Sequence, residues 1–155
     1  MRIAVASDEP YPVHATVQRV LADRGHTVVP FGAVASGAED AWPDVAEAAA
    51  LAVASGACDE GIFFCWSGTG ISMAANKVAG VRAALCADPG AAAAARVWNH
   101  ANVLCLSNRT LSDDMAREIL AAWLDTAPGD RGADGVARLA AVDARHRKLP
   151  DRTSV

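Results

Sequence analysis

Cys65 stands at the head of the run Trp66-Ser67-Gly68-Thr69-Gly70-Ile71-Ser72, where a thiol is delivered into a tight glycine-rich turn. Residues 61–64 before it are apolar and partly aromatic, which marks a short buried strand. Gly68 and Gly70 lack a Cβ, so the backbone can turn sharply there and come close to a ligand. Residues 71–78 are good helix formers, and the first free N–H groups of such a helix point back at the turn and favour negative charge. That field suits a cysteine that gives and takes a proton while backbone N–H groups hold an oxyanion. A competing reading takes Gly68-x-Gly70 as a dinucleotide loop with Asp88 as its acidic partner. Met73 at the third small position, and a place after the third strand instead of the first, weigh against it.

The elements that must position this turn alternate along the chain. Strands are expected over 2–6, 26–30, 60–65, 81–86 and 102–107, with helices over 13–24, 43–55, 71–78, 89–98, 112–125 and 134–147. This alternation implies an α/β fold with a five-stranded parallel sheet and helices on both faces. Ligands of such sheets bind at the carboxyl ends of the strands. Asp8 follows the first strand, Cys65 the third, Asp88 the fourth, and Asn108 and Arg109 the fifth. The alanine-rich stretches 46–54 and 91–95 are expected to be helices packed closely on the sheet. One domain is expected over residues 1–148, with 149–155 a loose tail.

Composition narrows the function. The net charge of -4 and the absence of a basic stripe argue against nucleic acid as a partner. No segment approaches a membrane span and the opening apolar stretch is too short for a signal peptide, so the expectation is a cytoplasmic protein with no membrane partner. The four cysteines, at 58, 65, 86 and 105, lack paired spacing and read as free thiols, so no metal site is expected. Cys86 and Cys105 are each expected to end an apolar run, as inert buried cysteines do. His14, His26 and His146 show no ligand spacing, and Arg131, Arg145 and Arg147 read as a solvated helix face.

The segments Cys65 to Lys77, residues 79–84 (Ala-Gly-Val-Arg-Ala-Ala) and Trp98 to Leu104 resemble, in order and spacing, the type B ribose-5-phosphate isomerase family, which includes the galactose-6-phosphate isomerase subunits. The likeness runs from Asp8 to about Arg138. It implies a cofactor-free and metal-free aldose–ketose isomerase with a three-layer α/β/α Rossmann-like fold. It also implies a homodimer or dimer of dimers whose active sites are shared between subunits. By this resemblance Cys65 is the base that moves a proton between C1 and C2 through an enediolate, and Ser67 takes the place of a threonine near the sugar hydroxyls. Gly68, Thr69, Gly70, Ile71 and Ser72 form the loop that stabilises the enediolate oxygen. Asp8 binds substrate, Asn99 holds the sugar, and Arg109 and Arg138 are associated with the phosphate end.

The departures are as informative. Glu9 stands where the family has a histidine, and Trp98 where it has the histidine that helps open a furanose ring. Asp134 and Ala137 occupy two positions that are basic in the family. A carboxylate at Glu9 repels phosphate. The expectation is a sugar-phosphate isomerase, or one acting on a related polyhydroxy carbonyl compound, that handles ribose 5-phosphate poorly and prefers an open-chain substrate. His100 is a candidate to replace the missing imidazole, and Trp66 and Trp98 are candidate pocket walls. The alternative is a non-catalytic relative that binds a sugar phosphate or supports a partner subunit.

Overall fold

The computed structural model describes residues 1–146. The expected tail at 149–155, its boundary at 148, and Arg147 lie outside the described residues. Five parallel strands, β1 (Arg2–Ser7), β2 (Thr27–Gly32), β3 (Glu60–Cys65), β4 (Ala83–Leu85) and β5 (Val103–Ser107), form one sheet in the order β2-β1-β3-β5-β4. Their alternating side chains face two separate apolar layers. Ile3, Val5, Ile62, Phe64, Leu104 and Leu106 pack against helices α1 (Val13–Asp23), α5 (Pro89–Asn99) and α6 (Asp113–Leu124). On the other face Ala4, Ala6, Phe63, Cys65, Val103 and Cys105 meet α3 (Trp42–Ala54) and α4 (Thr69–Ala75). The result is the three-layer α/β/α architecture. All six residues of β3 are buried, as expected of a central parallel strand covered on both sides. Pro30 is tolerated because β2 is an edge strand.

The alanine runs do pack as anticipated. Ala46, Ala49, Ala50 and Ala92 are fully buried, letting α3 and α5 approach the sheet closely. Asp88 caps α5, its carboxylate accepting from the Ala91 N–H at 2.8 Å, with Pro89 pre-set in the first turn. This capping role leaves the dinucleotide reading of Asp88 without its acidic residue. Ser112 caps α6 in the same way. A final helix, α7 (Ala133–His146), packs on α5 and buries none of its residues.

Some expected boundaries shift. The fourth strand is three residues long instead of six: the Val81 N–H turns back to Val78 O, the Asn102 side chain takes the Arg82 N–H, and the Asn76 side chain bonds both N–H and C=O of Ala83. The same Asn76 ends α4 at Ala75, and the left-handed Gly68 (φ 77°) starts it at Thr69, two residues before the expected 71. Cys105 lies in the middle of β5 and not at the end of a run. A four-residue helix, α2 (Ala33–Ser36), was not signalled by any periodicity.

Candidate active site

The chain reverses its direction of travel across the sheet between β1 and β3, which opens a crevice at their carboxyl ends. Cys65 ends β3 and Asp8 follows β1, so thiol and carboxyl flank that switch point. The pairing continues past the strands: Asn108 N donates to Cys65 O at 3.0 Å and Arg109 N to Trp66 O at 3.1 Å. Ser107 Oγ adds a bond to Trp66 O at 2.9 Å. The ends of β3 and β5 are therefore fixed side by side, about 5 Å apart.

After Cys65 the backbone turns through Gly68, whose positive φ favours glycine. A Cβ there would also lie 2.5 Å from Leu85 Cδ1 and 3.0 Å from the Leu106 carbonyl. The first bond of α4 runs from Ser72 N to Gly68 O, so the N–H groups of Gly70 and Ile71 have no partner within the helix. Ile71 contributes only this backbone group, its side chain being fully buried. Ser67 Oγ and Thr69 Oγ1 are 2.6 Å apart, an adjacent hydroxyl pair beside the cysteine. Cys65 itself is 5% exposed at the rim of the α3/α4 layer. Burial pushes the Cys86 thiol up to about 11 and raises those of Cys58 and Cys105, so these three remain protonated and inert at neutral pH.

Asp8 is 8% exposed, and its Oδ1 is buried without a hydrogen-bond partner. Burial, together with the nearby charges of Glu9 and Glu39, raises its carboxyl above the usual range. An orphaned carboxylate oxygen at a strand end is an acceptor in want of a donor, which a substrate hydroxyl can supply. The loop carrying Asp8 and Glu9 is held from behind by a chain that sequence reasoning missed. His14 Nε2 donates to Asn108 Oδ1 at 2.8 Å, Asn108 Nδ2 donates to Ser7 Oγ at 3.1 Å, and Ser7 Oγ donates to the Glu9 carbonyl at 2.7 Å. Burial lowers the pKa of His14, in keeping with a neutral ring. Trp42 was also missed; its indole lies 3.3 Å from where a Gly70 Cβ would sit, so it roofs the Gly68–Gly70 turn. The pair Trp42-Pro43 at a helix start was the available signal.

Other expected site residues are not brought to Cys65. Strands run toward the crevice and α5 runs back, so Trp98 and Asn99 end at the opposite, amino edge of the sheet. There Asn102 O accepts from Gly61 N, at the start of β3. Four residues of strand separate Gly61 from Cys65, about 13 Å. Arg138 is exposed on α7, which packs on α5. His100 belongs to this edge too, its Nε2 bonded to the Gly129 carbonyl at 2.7 Å. The turn 98–102 is held by Arg82 Nε to His100 O and Arg96 Nη1 to Ala101 O. Arg96 in turn pairs with the buried Glu60, which also accepts from Trp123 Nε1. Two clefts mark the two regions. One of about 330 Å³ contains Trp66, Ser67, Ser107 and Arg109, and one of about 430 Å³ runs along β4 past Asn76, Arg82, Asn99 and Leu139. Among the described residues no group of three or more metal-ligating side chains occurs, and no helix is long and apolar enough to cross a membrane.

At the switch point of this parallel α/β sheet a thiol thus stands next to a glycine-rich turn with free helix N–H groups, an arrangement suited to isomerising hydroxy carbonyl compounds. The chain belongs to the Ribose/Galactose Isomerase family, whose sequence profile matches residues 3–140, and with it to the sugar-phosphate aldose–ketose isomerases. It is 40% identical over 126 residues to ribose-5-phosphate isomerase B of Escherichia coli, covering 81% of this chain and 84% of that one. It is 36% identical over 126 residues to D-erythrulose-4-phosphate isomerase of Pectobacterium atrosepticum, covering 81% and 83%. The solved ribose-5-phosphate isomerase B of Clostridium thermocellum superposes with a TM-score of 0.87 at 36% identity, over 94% of this chain and 99% of that one.

Proposed function

We propose that this protein interconverts a short, open-chain aldose phosphate and its ketose, with Cys65 as the proton carrier. Cys65 Sγ, as thiolate, takes the proton from C2 of the aldose and returns it to C1. The enediolate oxygen formed between these steps is held by the Gly70 and Ile71 N–H groups in the turn Gly68 to Ser72. The Ser67–Thr69 hydroxyl pair moves the accompanying proton between the two oxygens, and Asp8 Oδ1 accepts from a sugar hydroxyl. The observation that carries this reading is the placement at one switch point of a strand-end thiol, the free N–H groups of the turn that follows it, and an orphaned carboxylate oxygen.

Asn99, Trp98 and Arg138 complete the site from a second copy of the chain, since one chain holds Asn99 and Trp98 at the far edge from Cys65. An apolar surface supports such an assembly: Leu85, Trp98, Leu139 and Val142 are all exposed along β4, α5 and α7. Trp98, standing at the family's ring-opening imidazole, favours a substrate that needs no ring opening. A four-carbon sugar phosphorylated on its terminal oxygen has no hydroxyl placed to close a furanose, and a relative is named for such a compound. Glu9 beside Asp8 suits the hydroxyl end of the substrate, not its phosphate.

Solvent deuterium exchange into C2 tests the reading. Four-carbon sugar phosphates should exchange rapidly and ribose 5-phosphate slowly. Absence of exchange with every tetrose, pentose and hexose phosphate would remove the isomerase assignment, and equal rates on ribose 5-phosphate would remove the substrate preference.

A further inference from the structure

We propose that Trp66 is a positioning residue: a platform that orients Arg109 to receive a phosphate-type anion at the end of the substrate. The proposal rests on the isomerase reading only for what that anion is attached to. Arg109 leaves the sheet two residues beyond β5 and is exposed, so by itself its long side chain would sample many rotamers at an entropic cost to any ligand that orders it. Instead its guanidinium carbon sits 4.9 Å from the centre of the Trp66 ring, within the range where an aromatic face attracts a cation. Among the described residues no hydrogen bond engages the Arg109 side chain, so its in-plane N–H donors remain available as the fork that matches a phosphate oxygen pair. The backbone reinforces this, because Arg109 N and Ser107 Oγ both bond the Trp66 carbonyl. Indole and guanidinium are thereby tied to one peptide unit.

The surroundings fit an anion. Among the described residues Arg109 is the one charged side chain lining the 330 Å³ cleft, where Ser67, Ser107 and Thr110 add hydroxyls and Met115 adds apolar wall. Strand β3 stands between this cleft and the Asp8–Glu9 loop of β1, so an anion here is turned away from Glu9. Ser67, two residues from Cys65, joins the cleft to the reacting end. One strand spacing, about 5 Å, separates the two backbones, which matches a short substrate.

The first readout needs no turnover. In the full-length protein, the Arg109 Nε–H resonance, assigned with Arg109→Lys, should carry a ring-current shift that vanishes in Trp66→Ala and persists in Trp66→Phe. Inorganic phosphate titrated against that resonance should bind Trp66→Ala about two- to fivefold more weakly than wild type, with Trp66→Phe recovering most of the loss. In turnover, Trp66→Ala should raise KM for a four-carbon sugar phosphate more than for the matching free sugar, and more than it lowers kcat. An unshifted resonance, unchanged phosphate affinity in Trp66→Ala, or a Trp66→Phe as weak as Trp66→Ala would overturn the proposal. If the wild type exchanges C2 hydrogen yet these signatures are missing, the platform fails and the isomerase stands. If the signatures are present and no sugar phosphate exchanges, the platform stands and the isomerase fails.

Discussion

Among single residues, Cys65 and His14 stand in opposite roles, the first the proposed proton carrier and the second a buried imidazole that burial keeps neutral. Replacing Cys65 by Ala removes the proposed general base and should lower turnover about 10²- to 10⁴-fold. The circular dichroism spectrum should be unchanged, since a small residue at the rim of the α3/α4 layer is lost; near-normal C2 exchange in the variant would refute the role. His14 is buried, and its pKa is lowered by that burial. The unfolded chain therefore binds more protons than the native one as pH falls below about 6.5, and stability declines from there down to the folded pKa. His14→Gln keeps an N–H donor for Asn108 Oδ1 but cannot titrate. The drop in urea midpoint between pH 7.5 and 5.5 should be smaller in this variant than in wild type. The sequence exposed Cys65 because strand, thiol and glycine turn are contiguous. It placed Asn108 at a strand end but hid its bonds to His14 and Ser7, because the three are separated by up to 101 positions and meet only through the fold.

Among elements, the turn from β3 into α4 is the most constrained. Gly68→Ala must hold a side chain at φ 77° and place its Cβ against the Leu106 carbonyl of β5, which cannot move aside as a side-chain tip can. A loss of about 1–3 kcal/mol is expected, read as a fall of several degrees in Tm. An unaltered Tm would mean that the turn relaxes freely. This turn was legible from its glycines, and so were the two central strands, whose apolar runs need no tertiary information. The length of β4 was not. Val81 and Arg82 look strand-like, yet the Val81 N–H turns back to Val78 O and the Asn102 side chain takes the Arg82 N–H, and bonds of that kind leave no periodic trace. Cys105 was misjudged as ending its run for a related reason, since Leu106 and Ser107 after it also pair with β3.

For the whole molecule, substrate choice and assembly are one question. Sedimentation should find a dimer or larger at concentrations where the enzyme is active, and a fully active monomer would contradict the shared site. The position of Trp98 and Asn99 at the amino edge was legible in principle, since they close the helix expected before the fifth strand. The resemblance groups them instead with the Cys65 motif at the other edge; the direction of α5 separates them. That separation of the two edges has a genetic consequence. Under the proposed shared site, a chain crippled at Cys65 and a chain crippled at Asn99 are damaged in different halves, so each carries what the other lacks. When Cys65→Ala and Asn99→Leu proteins are mixed in equal amounts and their subunits exchange, half the dimers are hybrids with one of two sites intact. About one quarter of wild-type activity should return from two nearly inactive preparations. No recovery after verified exchange would mean that both residues serve the same chain.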